Sequence, residues 1–301
     1  MSNIAAGRTI GFVGLGAMGT PMANNLLARG FMVQGYDLRP SAGEALAAKG
    51  GRAAASVAEA ASGADALILM VVNAAQAEVA LFEQGGLEAL RPGSTVILMS
   101  TCPPAAVERL AARVDEAGRR FVDAPVSGGM VGAIAGTLTI MAAAPAAVLN
   151  EVRPVLEALG SKIVPVGERP GQGAMVKTVN QLLCGVHIAV AAEALSLAGK
   201  VGIDPEVMLD VLGGSAASSW MLKDRGPRMI QADPAVTSAV DIFVKDLGIV
   251  LEAGRETKAA LPLAAVAHQM FLATSGRGDG AADDSQVIRA YQALNGPAKD
   301  R

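Results

Sequence analysis

Three glycines near the amino terminus have the spacing of a phosphate-binding turn. Gly14, Gly16 and Gly19 form a G-x-G-x-x-G motif that follows an apolar, strand-like run and opens a helical segment. The first glycine permits a tight bend, the second lets the backbone approach a pyrophosphate, and the third lets helix and strand pack closely. Free N–H groups at the start of the helix favour the anion. The sequence predicts a dinucleotide site formed by Gly14, Leu15, Gly16, Ala17, Met18 and Gly19.

A carboxylate stands where the adenosine ribose of such a dinucleotide would bind. Asp37 ends the second strand-like run, eighteen residues after Gly19, and an acid there accepts hydrogen bonds from both ribose hydroxyls. Its charge would repel a 2′-phosphate, so the sequence favours NAD over NADP. Arg39 keeps NADP open as the alternative, because a guanidinium two residues further on can pair with that phosphate.

A second group of hydrogen-bond donors follows a later strand-like run. Ser127, Gly128 and Gly129 provide a hydroxyl and two successive backbone N–H groups. Such a concave cluster of donors suits a carboxylate. An ordinary glycine turn after a strand is the alternative interpretation.

The elements that must position these groups alternate in the first half of the chain. Strand-like runs are separated by helix-period segments, several of them closed by glycine. This alternation predicts a largely parallel sheet covered on both faces. The candidate strands are residues 9–15, 32–37, 66–72, 95–100, 120–126, 137–142 and 162–166.

Strand signals stop near residue 167, where a Pro/Gly-rich segment indicates a domain junction. A long proline-free helical pattern follows at residues 173–201, and further helical stretches come after it. The predicted fold class is α/β: an N-terminal Rossmann-type doubly wound sheet at residues 1–168, then an all-α C-terminal domain at residues 169–301, joined through a long interdomain helix. The glycine- and aspartate-rich stretch 275–284 is expected to be a flexible loop.

Composition limits the partners of the chain. Of 301 residues, 51% are hydrophobic, and Lys+Arg 25 against Asp+Glu 28 leaves a net charge of -3, which provides no basic field for nucleic acid or anionic lipid. No apolar run approaches the ~20 residues of a bilayer span, and the amino terminus lacks the pattern of a secretory signal. Cys102 and Cys184 give neither a disulfide framework nor a metal site. We expect a soluble, cytoplasmic protein without nucleic-acid, membrane or metal partners.

In order and spacing, these motifs resemble the β-hydroxyacid dehydrogenase family, which includes 3-hydroxyisobutyrate dehydrogenase and tartronate semialdehyde reductase. The resemblance covers nearly the whole chain and implies an NAD-dependent dehydrogenase of small hydroxy acids that forms homodimers or homotetramers. The segments that carry it are GFVGLGAMG at 11–19, Ser100-Thr101, DAPVSGG at 123–129, residues 136–138, residues 171–181 and Lys245-Asp246.

The resemblance also implies roles for individual residues. Lys177 would be the general acid/base that takes the hydroxyl proton during hydride transfer, as such a reaction requires. A free lysine is protonated at pH 7, so oxidation requires burial or nearby positive charge to lower its pKa. Ser127, Gly128 and Gly129 would hold the substrate carboxylate. Cofactor contacts outside the glycine loop and Asp37 would come from Val72, Asn73, Thr101 and Lys245.

Two departures from the common family pattern concern substrate choice. Asn180-Gln181 stands where two asparagines are usual; Gln181 keeps an amide but reaches farther, so both residues are candidates for substrate binding. Val72-Asn73 stands where many relatives have Leu-Pro. Together with residues 215–225, these features resemble the L-threonate dehydrogenase branch. The polar residues expected to suit a hydroxylated acid are Asn73, Gln76, Gln181, Ser219 and Arg225.

The predicted function is NAD-dependent oxidation of a small hydroxylated carboxylic acid, with L-threonate to an oxo-tetronate as the first choice. An NAD(P)H-dependent reductase of an aldehyde-acid such as tartronate semialdehyde, and a 3-hydroxyisobutyrate dehydrogenase, are the enzymatic alternatives. A non-enzymatic dinucleotide-binding scaffold is the alternative from a different class. The presence of Lys177 together with the Ser-Gly-Gly turn argues against the scaffold.

Overall fold

The computed structural model describes residue 4 and residues 7–296. The chain divides into two compact units, of which the first runs to Lys177 and the second begins at Thr178. The division falls inside a long helix, because the first turns of that helix pack with the sheet that precedes it. The limits 1–168 and 169–301, drawn from the sequence, remain a prediction.

The first unit contains a nine-stranded sheet with strand order β3-β2-β1-β4-β5-β6-β8-β7, and β9 pairs with β8. Strands β1 to β6 pair with one another in parallel, whereas β8 runs antiparallel to β6 and β7 and parallel to β9. The order reverses between β1 and β4, which is where open α/β sheets bind ligands. The strands are β1 (Thr9–Val13), β2 (Met32–Tyr36), β3 (Arg52–Ala53), β4 (Ala66–Leu69), β5 (Thr95–Leu98), β6 (Arg120–Asp123), β7 (Val126–Ser127), β8 (Thr139–Ala143) and β9 (Lys162–Gly167).

Helices cover both faces of this sheet. Successive side chains of a strand point to opposite faces, so Ile68 in β4 joins one hydrophobic cluster while Leu67 and Leu69 join the other. This burial on both faces explains the near-continuous apolar runs in the sequence. The helices are α1 (Gly19–Ala28), α2 (Pro40–Ala47), α3 (Val57–Ala61), α4 (Ala74–Glu78), α5 (Gly86–Ala89), α6 (Pro104–Glu116), α7 (Gly129–Ala135) and α8 (Ala146–Leu159), with a π-helical turn at Val79–Glu83.

The second unit is helical, as the sequence predicted. Its core includes Leu195, Leu247 and the stacked rings of Phe243 and Phe271, whose centroids are 5.2 Å apart. Its helices are the greater part of α9 (Gln172–Lys200), then α10 (Pro205–Gly214), α11 (Trp220–Met229), α12 (Val240–Thr257), α13 (Pro262–Thr274) and α14 (Ile288–Asn295), with a π-helical turn at Ser275–Asp279 and a 3-10 helix at Asp284–Val287. The predicted α/β fold class, with a helical second part and a long connecting helix, is confirmed.

Two expectations need correction. The stretch 275–284 is not a loose loop: it contains a π-helical turn, and Asp283 at its end accepts hydrogen bonds from Arg228 and Thr237. In addition, α9 is long and apolar enough to cross a membrane by length and composition, with a mean hydropathy of 1.7 in its most apolar window. Polar residues interrupt the apolar ones along this helix, so it contains no uninterrupted apolar run as long as a bilayer span. Core helices of soluble proteins pass the same test, so this finding is weak support for a span.

Candidate active site

The glycine loop has the backbone that its sequence predicted. Gly14 has a φ of +96°, and a Cβ there would lie 2.4 Å from the Met70 carbonyl oxygen. A Cβ on Gly19 would lie 1.8 Å from the oxygen of Gly14, so only glycine allows α1 to approach the end of β1 so closely. Around Gly16, by contrast, a Cβ would meet nothing within 4 Å. The loop therefore presents an open backbone face at its middle glycine, which fits the approach of a pyrophosphate.

Asp37 lies at the end of β2 and is bound to this loop. Its Oδ2 accepts a hydrogen bond from the Leu15 N–H (2.8 Å), and its Oδ1 accepts from the backbone N–H and the Nε of Arg39 (2.9 and 3.0 Å). Burial alone would raise the pKa of Asp37, but the hydrogen bonds from Arg39 and Leu15 outweigh it and hold the pKa below its ordinary value. Asp37 is therefore a carboxylate at neutral pH, and both of its oxygens accept hydrogen bonds from the protein.

A cleft of about 430 Å³ opens beside the glycine loop within the first unit. Gly16, Thr20 and Arg39 contribute polar groups to its wall, while Ala17 and Ile134 contribute apolar surface. The full lining is Leu15, Gly16, Ala17, Thr20, Pro21, Asn24, Arg39, Ser41, Ala42, Met130 and Ile134. Asp37 is not one of the lining residues, but it binds two of them, Leu15 and Arg39. The open backbone at Gly16 and the mixed polar and apolar wall fit part of a dinucleotide.

Three further predicted cofactor residues lie at the same carboxyl edge of the sheet. Val72 and Asn73 follow β4, and Thr101 follows β5, the strand that pairs with β4. Asn73 caps α4 by accepting a hydrogen bond from the Gln76 N–H, and the Gln76 side chain in turn accepts one from the Val72 N–H (both 2.9 Å). Asn73 and Gln76 therefore form a reciprocal cap that holds the chain after β4.

The Ser-Gly-Gly turn connects β7 to α7. Gly128 and Gly129 have φ angles of +130° and +59°, which side-chain-bearing residues rarely adopt. The two glycines are thus required by the backbone path, and Ser127 is half-buried beside them. The structure thus shows why glycines occupy this turn, and the binding of a substrate acid by its donors remains a prediction.

Lys177 lies in the second turn of α9 and is only 7% exposed. The start of this helix contacts Asp123 at the end of β6, a residue of the DAPVSGG motif for which the sequence predicted no role. Burial raises the pKa of Asp123 to about 6, against hydrogen bonds from the backbone of Ala174, Gly171 and Gly173 that lower it. No local signal predicts this contact, because 48 residues separate Asp123 from Gly171.

Four predicted or neighbouring polar residues form a chain of hydrogen bonds in the second unit. The Nδ2 of Asn180 donates to the Oε1 of Gln181 (2.9 Å), and the Nε2 of Gln181 donates to the Oδ2 of buried Asp246 (2.5 Å). The Nζ of Lys245 binds the other oxygen of Asp246 at 2.6 Å. Both ends of the Gln181 amide are therefore held by the protein itself.

Two residues expected at a hydroxylated substrate have structural partners instead. Ser219 caps α11 by accepting a hydrogen bond from the Leu222 N–H (3.0 Å). Arg225 makes a two-pronged ion pair with fully buried Asp284, with both N–O distances at 2.9 Å. Burial lowers the pKa of Arg225, but the charge and hydrogen bonds of Asp284 and Asp224 outweigh it and raise the pKa. The guanidinium of Arg225 is therefore held by carboxylates of the helical unit, and its role towards a substrate remains a prediction.

The chain matches two families of domains. Residues 9–167 match the NAD binding domain of 6-phosphogluconate dehydrogenase. Residues 171–291 match a family described as NAD-binding of NADP-dependent 3-hydroxyisobutyrate dehydrogenase.

Relatives of the chain match it over nearly its full length. It is 45% identical to L-threonate dehydrogenase of Cupriavidus necator, over 97% of this chain and 99% of that protein. It is 40% identical to 2-(hydroxymethyl)glutarate dehydrogenase of Eubacterium barkeri, over 95% of this chain and 96% of that protein. A crystal structure of 3-hydroxyisobutyrate dehydrogenase from Salmonella typhimurium shares 42% identity with a TM-score of 0.90, over 94% of this chain and 99% of that one.

The doubly wound sheet with its glycine loop, the two matched domain families and these relatives together show an NAD-dependent dehydrogenase that acts on small hydroxy acids. Its cofactor is NAD, and its substrate is a small acid. The chain belongs to the β-hydroxyacid dehydrogenase family, the family of 3-hydroxyisobutyrate dehydrogenase.

Proposed function

We propose that this dehydrogenase oxidises L-threonate to an oxo-tetronate. The observation that carries the proposal is the 45% identity, over almost the entire chain, to a relative named L-threonate dehydrogenase. Further relatives with that name, such as the protein of Escherichia coli K12, are 40% identical over 96% of both chains. In the reaction, NAD accepts a hydride from the carbon that bears the hydroxyl group, and the hydroxyl proton passes to a base on the protein.

Lys177 is the proposed base, and it is the acid in the reverse direction. Its burial supports this role, because an exposed lysine would be solvated and poorly placed for proton transfer. Its place on a long helix supports precise orientation of the amine. Ser127, Gly128 and Gly129 are proposed to bind the substrate carboxylate, since their turn presents a hydroxyl and backbone donors beside one another.

Asn180 is proposed to contact the substrate, with Gln181 as its support. The amide of Gln181 is engaged at both ends, by Asn180 and by Asp246. Gln181 therefore orients Asn180 rather than binding the acid. Lys245 is proposed to contact the cofactor, and its ion pair with Asp246 orients its ammonium group.

The remaining cofactor contacts are proposed at the glycine loop and the carboxyl edge of the sheet. Asp37 would bind the adenosine ribose, and its ionised state favours NAD over NADP. Arg39 is exposed and can leave Asp37 to pair with the 2′-phosphate of NADP. Arg39 therefore limits the preference for NAD over NADP. The loop and edge residues are Gly14, Leu15, Gly16, Ala17, Met18, Gly19, Val72, Asn73 and Thr101.

Oxidation of 3-hydroxyisobutyrate is the second candidate, favoured by the close match to the Salmonella typhimurium structure. The two are distinguished by kcat/KM for L-threonate and 3-hydroxyisobutyrate, each with NAD and with NADP, followed by absorbance at 340 nm. We expect L-threonate with NAD to exceed 3-hydroxyisobutyrate by ~10² or more, because a site that hydrogen-bonds the hydroxyls of its substrate discriminates strongly against an acid that lacks them. Equal or higher values with 3-hydroxyisobutyrate would reverse the assignment.

The enzyme is proposed to be a soluble, cytoplasmic homodimer or homotetramer. Leu183, Val190 and Leu197 lie seven residues apart on α9 and are 52%, 52% and 60% exposed. A seven-residue apolar repeat on an exposed helix face suits packing against another helix. Light scattering after size exclusion tests this, and a monomer at micromolar concentration would contradict it.

A further inference from the structure

The helix that carries Lys177 is held at its start by a side chain from a distant part of the sequence. Asp123 ends β6 and is only 1% exposed. Its Oδ2 accepts hydrogen bonds from the backbone N–H groups of Gly171 and Ala174, both at 2.9 Å. The first N–H groups of a helix have no partners within the helix. Asp123 therefore accepts from Ala174 in the first turn of α9 and from Gly171 just before it.

The contact between this carboxylate and the helix is very close. A Cβ on Gly173 would lie 2.8 Å from the backbone oxygen of Asp123, 2.9 Å from its Cγ and 2.7 Å from the oxygen of Met141. Real Cβ atoms do not approach backbone atoms to such distances, so any side chain at position 173 must push the helix away from β6 and β8. The position of the start of α9 against β6 and β8 thus depends on both Asp123 and Gly173.

Lys177 lies close to this contact along the helix. It lies three residues after Ala174, which is about 4.5 Å along the helix axis. A helix is stiff over one turn, so a displacement at its first residues is passed on to the lysine. Misplacement of a reacting group by ~1 Å can cost ~10²-fold in rate.

We propose that Asp123 is a positioning residue of the reaction: by seating the first turn of α9, it fixes the place of the Lys177 amine. This inference rests on the proposed function of Lys177. The negative charge of the carboxylate also complements the positive end of the helix dipole. Burial raises the pKa of Asp123 to about 6, so the group is mostly ionised at neutral pH.

The test disturbs the contact between Asp123 and the start of α9 in the full-length enzyme, by substitutions on the helix and at Asp123. Gly173→Ala pushes the helix away and leaves the carboxylate intact, whereas Asp123→Glu keeps the charge and moves it along a longer side chain. Asp123→Asn keeps an acceptor oxygen for the two N–H groups. Gly199→Ala is the matched control, because it lies on the same helix and its Cβ would meet nothing within 4 Å. The readouts are kcat with L-threonate, NADH affinity by fluorescence, and folding by circular dichroism.

We expect Gly173→Ala and Asp123→Glu to lower kcat by ~10-fold or more with NADH affinity within about twofold, as expected for a misplaced reacting group. Asp123→Asn should keep most of the wild-type kcat. Gly199→Ala should match the wild type in kcat and in NADH affinity. Wild-type kcat in both displaced variants would overturn the inference. If neither folds, Asp123→Ala is compared with Asp123→Asn, because alanine removes the acceptor that asparagine keeps. A kcat at least ~10-fold lower in Asp123→Ala than in Asp123→Asn supports the inference, and equal kcat in the two variants overturns it.

The outcome for Lys177 separates this inference from the proposed function. If Lys177→Ala turns over normally, the proposed base is wrong and the role of Asp123 falls with it. If Lys177→Ala is inactive while the displaced variants are normal, only the positioning role is wrong.

Discussion

The buried carboxylate of Asp123 should measurably change how the free energy of unfolding depends on pH. Its pKa is raised from the ordinary 3.8 to about 6 in the folded state, chiefly by burial. The folded protein therefore binds this proton more tightly than the unfolded chain. Because stability falls with pH wherever the folded state binds more protons, this group lowers the free energy of unfolding as pH rises from below 3.8 through 6.

The size of the effect follows from the shift. A difference of about 2.2 pKa units, at 1.36 kcal/mol per unit, amounts to about 3 kcal/mol as an upper magnitude. Asp123→Asn has no proton to lose, so its stability relative to wild type should rise by up to about 3 kcal/mol between pH 4 and pH 7. Other carboxylates contribute equally to both proteins and cancel in the difference.

Urea unfolding followed by circular dichroism, at several pH values across this range, measures that difference. Asp204→Asn is the matched control: Asp204 also caps a helix, by accepting hydrogen bonds from Glu206 and Val207, but it is exposed. If the free energies of unfolding of wild type and Asp123→Asn change with pH in parallel across this range, the argument that burial raises the pKa of this carboxylate is refuted.

Three further predictions concern the other charged groups. Lys177→Ala should lower kcat by at least ~10²-fold while NADH affinity stays unchanged, and near-normal turnover would remove it from the mechanism. Asp37→Ser should raise kcat/KM with NADP relative to NAD by ~10-fold or more, since it removes an acceptor and a repulsive charge; steady-state kinetics with both cofactors tests this. Arg225→Leu leaves Asp284 buried without its partner and should cost ~3 to 5 kcal/mol in urea unfolding. A loss of kcat at unchanged stability would instead return Arg225 to the substrate site.

The parts of the site that sequence could predict are those set by local backbone geometry. The roles of Gly14 and Gly19 depend on atoms of the same turn and its neighbouring strand, so spacing alone indicates them. The same holds for Gly128 and Gly129, whose positive φ angles belong to one turn. The alternation of strands and helices likewise predicted the doubly wound sheet, although the two-residue strand β3 was too short to detect.

Contacts between distant segments could not be predicted in this way. Asp123 meets Gly171 across 48 residues, and Arg225 meets Asp284 across 59. A buried carboxylate and a buried guanidinium are indistinguishable in sequence from residues that bind a ligand. For Asn73 a local signal did exist, because Asn followed three residues later by Gln before a helical run is typical of a helix cap.

These contacts change how the departures from the family pattern bear on substrate choice. A glutamine at position 181 is longer than asparagine by one methylene, and that length is used to reach Asp246, which also binds Lys245. Asn73, Ser219 and Arg225 are likewise engaged with the protein. The polar residues that distinguish this chain from the common family pattern therefore mostly hydrogen-bond to other protein groups, rather than lining the inner surface of the site. If Asn180 contacts the substrate as proposed, this support orients its side chain. The relative kcat/KM for L-threonate then tests that orientation rather than added polar contacts.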